Sequence, residues 1–336
     1  MMEHRVATRR AGRRALLAAT AAAFTAPPHV LRAQGVAAYP TRAVRVVNAY
    51  SAGGTADTVC RILLNALSER LGQQFVVENR PGAAGTIAAA TVARAPADGY
   101  TLLYDATAHS VNPALFGARL PYNTERDLVP VFLAMVSPNT LMVTNGFEQK
   151  TIPELVAYAK ANPGKLDCAT AGIGTAQHVT LELFNHAAGV CINHIVYREI
   201  AAARNDLFSG RVPLNFSNVP AAVPIFRAGR ARIMAHCGPP GELSVLPGVP
   251  AIAEHYPEVV TYEWNGLFAP AGTPEEIMRR LNAELNAVIR DATVAERLTA
   301  LGALTRANTP EEFSAFRAQQ IELHTRVVRL ANIRID

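Results

Sequence analysis

A short loop rich in glycine and hydroxyl side chains organises this chain, and it comprises Tyr50-Ser51-Ala52-Gly53-Gly54-Thr55-Ala56-Asp57. The loop lies between an apolar run at 44–49 and a segment with helical spacing that begins near Thr58. That order predicts a strand, a glycine turn and a helix. The first N–H groups of a helix have no intrahelical partner and carry the positive end of the helix dipole, so the turn is predicted to bind an anion. Two adjacent glycines permit positive φ angles and close approach of a ligand.

The loop also fits an ordinary strand-to-helix turn, in which Asp57 or Thr55 caps the helix and no ligand binds. A second loop of the same design favours a ligand, and it comprises Ala171-Gly172-Ile173-Gly174-Thr175-Ala176-Gln177-His178. This loop follows a strand-like run at 165–170 and leads into a helical stretch at 179–188. Two such loops predict a clamp that holds an anion from two sides.

The first 33 residues have the features of an export signal. Five arginines precede an apolar run of twelve residues at 15–26, and small residues follow at Ala33, Ala37 and Ala38. The apolar run is shorter than the ~20 residues that span a bilayer. We therefore expect residues 1–33 to be an export signal peptide, with cleavage between 33 and 38. Arg13-Arg14 fits a twin-arginine signal, and an arginine-rich signal for general secretion is the open alternative.

The charge balance gives no support to a nucleic-acid partner. The chain has 32 basic and 27 acidic residues. Six arginines and one glutamate lie within the first 33 residues, which leaves 26 of each sign in the remainder. A balanced chain lacks the electrostatic attraction that nucleic acids or anionic membranes require, so we expect neither partner.

The sequence predicts no metal site and no cofactor. Its four cysteines, Cys60, Cys168, Cys191 and Cys237, lack the paired spacing of zinc ligands. Most are expected to be small buried residues. A disulfide between Cys168 and Cys191 stays open, because both begin consecutive strand-like segments and an exported protein meets an oxidising compartment.

From residue 40 onward, strand and helix patterns alternate. Strand-like runs at 44–50, 75–78 and 100–105 enclose helical stretches, which indicates a parallel sheet covered on both faces. Ligands of such sheets bind at the carboxyl ends of the strands, where the first glycine loop and Thr107 fall.

The alternation restarts after an apolar stretch at 128–143, which suits either two strands or one strand that crosses between domains. Further strand-like runs at 165–170, 192–197 and 212–216 define a second α/β part. The remaining C-terminal segment is predicted to be mostly helical, since three capping boxes occur within it.

With these stretches in place, the chain resembles the extracytoplasmic solute receptors of tripartite tricarboxylate transport, the Bug family, from residue 39 to near its C-terminus. The resemblance rests on short motifs in the family's order, namely Gly53-Gly54 with Asp57, Val77-Glu78-Asn79-Arg80-Pro81-Gly82, Asp98-Gly99-Tyr100-Thr101-Leu102-Leu103, Asn112-Pro113, Leu120-Pro121-Tyr122, Gly172 with Gly174-Thr175 and His178, Val196-Tyr197, Asp206-Leu207 with Gly210, Leu246-Pro247 with Val249-Pro250, and Trp264 with Gly266-Leu267-Phe268-Ala269-Pro270-Ala271-Gly272-Thr273-Pro274. Each motif is weak alone, but their shared order over most of the chain is specific.

The resemblance implies an α/β fold, a two-lobed periplasmic binding protein of the type II, Venus-flytrap kind. Each lobe would be a parallel-rich sheet flanked by helices, with lobe I formed by 39–140 plus 263–336 and lobe II by 141–262. It also implies a receptor in the periplasm that binds a small carboxylate and delivers it to the membrane permease of a tripartite transporter. We expect this receptor to be a monomer without a cofactor.

In the family, glycine loops of both lobes hold a carboxylate through backbone N–H groups, hydroxyls and waters. The expected ligand-binding residues here are Tyr50, Ser51, Ala52, Gly53, Gly54, Asp57 and Thr107 in lobe I, and Ala171, Gly172, Gly174, Thr175, His178, Tyr197, Arg198, Ser217 and Asn218 in lobe II.

The chain departs from the family pattern at three places that bear on the ligand. Arg198-Glu199 stands where members often have lysine and glycine, Ser217 where many have an aspartate, and 235–244 differs from the usual small and basic run. Because Ser217 removes a charge that pairs with an amine, one hypothesis is that the ligand lacks an amino group.

Two other functions stay open on sequence alone. A periplasmic hydrolase would use Thr175 as nucleophile and His178 as base, but no Gly-x-Ser-x-Gly, His-Glu-x-x-His or Gly-x-x-x-x-Gly-Lys motif accompanies them, and we expect no enzyme. A ligand-sensing receptor for a signalling partner has the same sequence features as a transport receptor.

Overall fold

The strands of the computed structural model form one continuous sheet, in which two long central strands connect two groups of strands. The structure describes residues 39–170, 172–197 and 200–334. The expected export signal and its cleavage region lie outside these residues, as do Ala171, Arg198 and Glu199. From Pro40 onward the chain forms one compact unit, Pro40–Asp336.

The elements alternate along the chain as the sequence predicts. The strands are β1 (Val44–Asn48), β2 (Phe75–Asn79), β3 (Thr101–Ala106), β4 (Leu128–Val143), β5 (Leu166–Thr170), β6 (Ile192–Val196), β7 (Leu214–Asn218), β8 (Arg232–His236) and β9 (Tyr262–Pro270). The helices are α1 (Thr55–Leu71), α2 (Thr86–Ala93), α3 (Ala108–Phe116), α4 (Ile152–Ala161), α5 (Ala176–Ala188), α6 (Ile200–Ser209), α7 (Val219–Arg227), α8 (Glu275–Val288), α9 (Ala292–Ala300) and α10 (Pro310–Leu330). The predicted α/β fold class is confirmed.

Strand β4 connects two groups of strands. The neighbours along the sheet are β2-β1-β3-β9-β4-β7-β5-β6, and β8 pairs with β4 as well. The first part of β4, Leu128–Pro138, pairs with β9, whereas Asn139–Val143 pairs with β7 and β8. The apolar stretch at 128–143 is therefore one strand of 16 residues rather than two.

The strand directions make the two groups face each other. Strand β1 is parallel to β2 and β3, and β5 is parallel to β6 and β7. Because β3–β9, β9–β4 and β4–β7 are all antiparallel, β3 and β7 run in opposite directions. Strand β3 ends opposite Asn265, which pairs with Met135 of β4, and β7 ends at Asn218 opposite Asn139. The carboxyl ends of the two groups of parallel strands therefore lie next to each other, beside residues 135–139 of β4.

Local sequence explains most of the helices. Helix α1 buries a stripe that includes Val59, Leu63 and Leu67, and it ends where Gly72 adopts a left-handed conformation with φ of 65°. Helices α3 and α7 contain Pro113 and Pro224 in their interiors, and the sequence pattern does not predict either helix.

The aromatic core of the first group lies between β9 and α10. Trp264 and Phe268 from β9 pack with Phe313 from α10, and all three side chains are fully buried. Phe184 of α5 and Phe216 of β7 belong to a separate hydrophobic cluster. Within the described residues, no helix is long and apolar enough to span a membrane.

We predict that Gly266→Ala destabilises the fold by at least about 1–3 kcal/mol, because a side chain would overfill the β9–α10 contact. A Cβ at this position would lie 2.1 Å from Cζ of the buried Phe313 ring. Urea unfolding followed by circular dichroism measures the free energy of unfolding. Gly146→Ala is the matched control, because a Cβ there meets no atom within 4 Å. Equal stability of the two variants would contradict the proposed close packing.

Candidate ligand-binding cleft

The N-termini of α1, α3, α5 and α7 converge where the two strand groups meet. Thr55 at the start of α1 donates to the Asn218 side chain, with 3.4 Å between Oγ1 and Oδ1. Asn218 is the N-cap of α7, and Gln177 lies in the first turn of α5. Oγ1 of Thr107, the N-cap of α3, accepts from the backbone N–H of Trp264 at 3.0 Å. Four partial positive charges therefore surround one region, which favours an anion.

The first glycine loop presents its backbone to this region. Ser51, Ala52 and Gly53 are exposed, while Gly54 and Thr55 are half-buried. Helix α1 has Gly54 as its N-cap and no side-chain capping hydrogen bond, so the alternative in which Asp57 or Thr55 caps the helix is wrong. Gly53 has a φ of 79°, a conformation that favours glycine.

Asp57 holds this loop from behind. Its buried carboxylate accepts from the Gly53 N–H at 3.0 Å, Arg61 Nε at 3.0 Å, Asn79 Nδ2 at 2.8 Å and Asn48 Nδ2 at 3.2 Å. Burial raises the pKa of Asp57, but the hydrogen bonds from these partners outweigh burial and leave it below its usual value. The structure therefore indicates that Asp57 positions the loop. Both of its carboxylate oxygens already accept hydrogen bonds from protein groups.

The second glycine loop is closed by its own side chains. Oγ1 of Thr175 accepts from the His178 N–H at 3.3 Å and donates to the Gly172 carbonyl at 2.9 Å. The Gly174 N–H donates to Nδ1 of His178 at 3.2 Å. Gly174 has a φ of 76°, and a Cβ there would lie 2.8 Å from a methyl carbon of Leu115 in α3, so only glycine fits.

These contacts do not form a nucleophile and base. The Thr175 hydroxyl donates to a carbonyl and not to His178, whose Nδ1 accepts from the backbone. The His178 ring also stacks on His194, with centroids 3.9 Å apart and planes 14° apart. Both side chains of the suggested hydrolase pair therefore stabilise the loop.

Burial and the neighbouring His178 ring lower the pKa of His194 to about 3. Nε2 of His194 lies 2.5 Å from Oγ1 of Thr170 at the end of β5. His194 is therefore neutral under ordinary conditions and shapes the base of the second loop.

The remaining residues that the sequence predicted for the site have different surroundings in the structure. Tyr197 donates to Asp206 Oδ2 at 2.5 Å, and burial together with this carboxylate raises the pKa of Tyr197 to about 12. Ser217 is half-buried beside Asn218, and its carbonyl accepts from Thr140 Oγ1 at 3.0 Å. Burial raises the pKa of Tyr50 well above its usual range, and the nearby Asp105 and Glu263 raise it further. Ala171 and Arg198 lie outside the described residues.

Sequence reasoning missed the acidic residue at the centre of the cleft. Glu263 lies in β9 opposite Ser137 of β4. Its Oε2 accepts from Gln177 Nε2 at 2.7 Å and from Asn218 Nδ2 at 2.8 Å, and so it links the starts of α5 and α7. Burial raises the pKa of Glu263, and the two amide donors act in the opposite direction. The available signal was one carboxylate immediately before the buried Trp264 in an otherwise uncharged strand.

The described residues contain no cluster of ligating side chains that could hold a metal ion. All four cysteines are free thiols, and Cys168 is buried while Cys191 is exposed, so the disulfide left open by the sequence is not formed in the structure.

The fold is that of periplasmic solute-binding receptors. Residues 59–333 match the tripartite tricarboxylate transporter family receptor model, TctC. The chain belongs to this family, as the sequence resemblance predicted. Members of the family and the structural neighbours are solute-binding receptors and not enzymes.

Two relatives support the assignment by sequence. A UPF0065 protein in the tcbD-tcbE intergenic region of Pseudomonas sp. strain P51 is 39% identical over 307 residues, which cover 89% of each chain. The BugT protein of Bordetella pertussis is 33% identical over 293 residues, which cover 87% of this chain and 90% of BugT.

The folds of two solved structures support the family assignment as well. A protein from R. palustris with adipate has a TM-score of 0.81 and 33% identity, and the match covers 88% of this chain and 99% of that one. MatC from Rhodopseudomonas palustris with bound malate has a TM-score of 0.78 and 32% identity, and the match covers 86% of this chain and 100% of MatC.

We predict that stability falls as the pH drops from about 7.5 to about 5, partly because of His194. The unfolded chain takes up this proton near pH 6.5, whereas the folded His194 resists it until about pH 3. Protons therefore favour the unfolded state between these values, by up to about 1.4 kcal/mol per pH unit for one histidine. Urea unfolding at several pH values measures the slope.

His194→Gln keeps a polar group beside Thr170 and should flatten this slope. His186→Gln is the control, because His186 is exposed on the same lobe. The buried His324, whose pKa burial lowers to about 4, contributes equally to both variants. An unchanged slope in His194→Gln would contradict the assignment.

Proposed function

We propose that this chain is an exported receptor that binds a small carboxylate in the cleft and delivers it to the membrane permease of a tripartite transporter. The observation that carries the proposal is the convergence of the N-termini of α1, α3, α5 and α7. Each terminus supplies unpaired N–H groups and a partial positive charge. Adipate and malate, which occur in the two related structures, are both carboxylates.

The expected binding strength agrees with this chemistry. Hydrogen bonds to a charged group contribute about 1.5–3 kcal/mol each. Three or four of them approach the ~8 kcal/mol of a micromolar ligand if the donors are already in position, because association itself costs several kcal/mol. The contacts of Asp57, Thr175 and His178 hold both glycine loops in place before a ligand arrives.

Transport requires a difference between the empty and occupied receptor. We propose the division into lobe I, residues 39–140 plus 263–336, and lobe II, residues 141–262. The proposed boundary at 140/141 falls two residues after β4 exchanges β9 for β7, and the boundary at 262/263 falls at the start of β9. A ligand that touches both lobes stabilises the closed form, which a permease can recognise.

The N-terminal sequence and the family support export. Residues 1–33 are proposed to be a signal peptide removed between 33 and 38, and the mature receptor to act as a monomer in the periplasm. The family is one of periplasmic receptors.

We predict that Gly53→Ala weakens binding of the preferred carboxylate about tenfold or more, because alanine disfavours the loop conformation that exposes the backbone donors. A first screen by calorimetry tests the purified mature protein against adipate, malate, succinate, citrate, glutamate and benzoate. Fluorescence of Trp264, the single tryptophan, gives a second readout of closure.

Gly72→Ala is a matched control for this variant. Both glycines have positive φ angles, 79° and 65°, and a Cβ at either position meets no atom within 4 Å. Both variants therefore carry a similar backbone strain of about 1 kcal/mol, but Gly72 lies at the opposite end of α1. Equal affinity of the two variants would contradict the role of the loop, and no binding of any carboxylate by the wild type would reject the proposed function.

A further inference from the structure

The carboxylate of Glu263 occupies the centre of a cleft that is otherwise suited to anions. It sits between the starts of α5 and α7, whose side chains Gln177 and Asn218 both donate to Oε2. Its other oxygen, Oε1, accepts no hydrogen bond within the described residues, and the side chain is half-buried. One carboxylate oxygen of Glu263 therefore lacks a donor among the described residues, at the point where the starts of α5 and α7 meet.

No positive side chain of the described residues neutralises this carboxylate. Across residues 39–170, 172–197 and 200–334, no lysine, arginine or histidine forms an ion pair with Glu263. Its neighbours include Tyr50 and Tyr104, and burial raises the pKa of each hydroxyl well above its usual range, so both stay neutral. A partly desolvated charge without a partner is unfavourable, and burial accordingly raises the pKa of Glu263. A cation supplied from outside would stabilise the ionised carboxylate.

A cation-bearing ligand also satisfies the charge balance of the cleft better than a plain acid does. A dicarboxylate would add two negative charges beside Glu263, and like charges in a partly buried site repel strongly. A ligand with one carboxylate and one ammonium group brings no net charge. Its carboxylate can take the backbone donors while its ammonium group faces Oε1.

A neighbouring cavity offers a place for the carboxylate end. This cavity of about 190 Å³ is lined by Gly53 and Thr55 from the first loop, Ala221 from α7 and Arg204 from α6. The Arg204 guanidinium has no acceptor within the part of the chain that the structure describes. Thr55 donates to Asn218, which donates to Glu263, so two hydrogen bonds connect the cationic cavity with the anionic group.

We propose that Glu263 is a specificity-determining residue that pairs with a protonated nitrogen on the ligand, so that this receptor prefers amino carboxylates to the corresponding deaminated acids. The inference rests on the proposed carboxylate-binding function. The sequence hypothesis drawn from Ser217 was that the ligand lacks an amino group. The inference is the opposite, because Glu263 supplies the carboxylate that Ser217 cannot provide as a partner for an amine.

Calorimetry with matched ligand pairs tests the inference on the full mature protein. The pairs are L-aspartate with succinate, L-glutamate with glutarate, 4-aminobutanoate with butanoate, and 6-aminohexanoate with hexanoate. We expect the wild type to bind the amino member of the best pair at least tenfold more tightly. Glu263→Gln, which keeps the shape and removes the charge, should lose that preference at least tenfold.

Glu258→Gln is the matched control, because it makes the same chemical change at an exposed position near β9 and should leave the preference intact. Circular dichroism verifies that each variant is folded, and the preference of the wild type is measured without any variant. Tighter binding of the deaminated member in every pair, or an unchanged preference in Glu263→Gln, would overturn the inference and leave carboxylate binding intact. No binding of any member would overturn the proposed function together with the inference.

Discussion

The antiparallel pairing of β4 with both β9 and β7 is the constraint on which the cleft depends. Together with the antiparallel β3–β9 pair, it makes the parallel strands β1 to β3 run opposite to the parallel strands β5 to β7. Every parallel strand is followed by a helix whose N-terminus lies at the strand's carboxyl end, so opposed strands bring helix N-termini face to face. A single parallel sheet would place all of these termini along one edge. The shared strand converts two such edges into two walls of one site.

Electrostatics then gives this site its character. Four helix N-termini create a region of positive potential by their dipoles alone, without requiring a lysine or arginine. Glu263 introduces a carboxylate into that region, held by two amides rather than by a cation. The combination leaves both an anion-binding surface and an uncompensated anion within two hydrogen bonds of each other. The proposed site would distinguish ligands by the distribution of their charges and not only by their number.

Several polar side chains of the two loops form hydrogen bonds with the loop backbone and hold it in place. Asp57 binds the loop that it follows, and Thr175 and His178 close the second loop on itself. The donors that we propose for a ligand are main-chain N–H groups, and glycines with positive φ angles at 53, 172 and 174 set the direction of the backbone there. This explains why residue types that suggest catalysis produce a rigid receptor, and why the stacked histidines at 178 and 194 contribute to stability rather than to proton transfer.

The sequence by itself determined the α/β alternation, the two glycine loops, the family and the 16-residue apolar stretch of β4, because periodicity and turn chemistry are local properties. It did not predict α3 or α7, since Pro113 and Pro224 conceal helices that tertiary packing stabilises. The inward direction of Asp57 and the central position of Glu263 were likewise decided by the tertiary structure. Each depends on partners distant in the chain, such as Asn79 for Asp57 and Gln177 for Glu263, and no local pattern records which distant residues will meet.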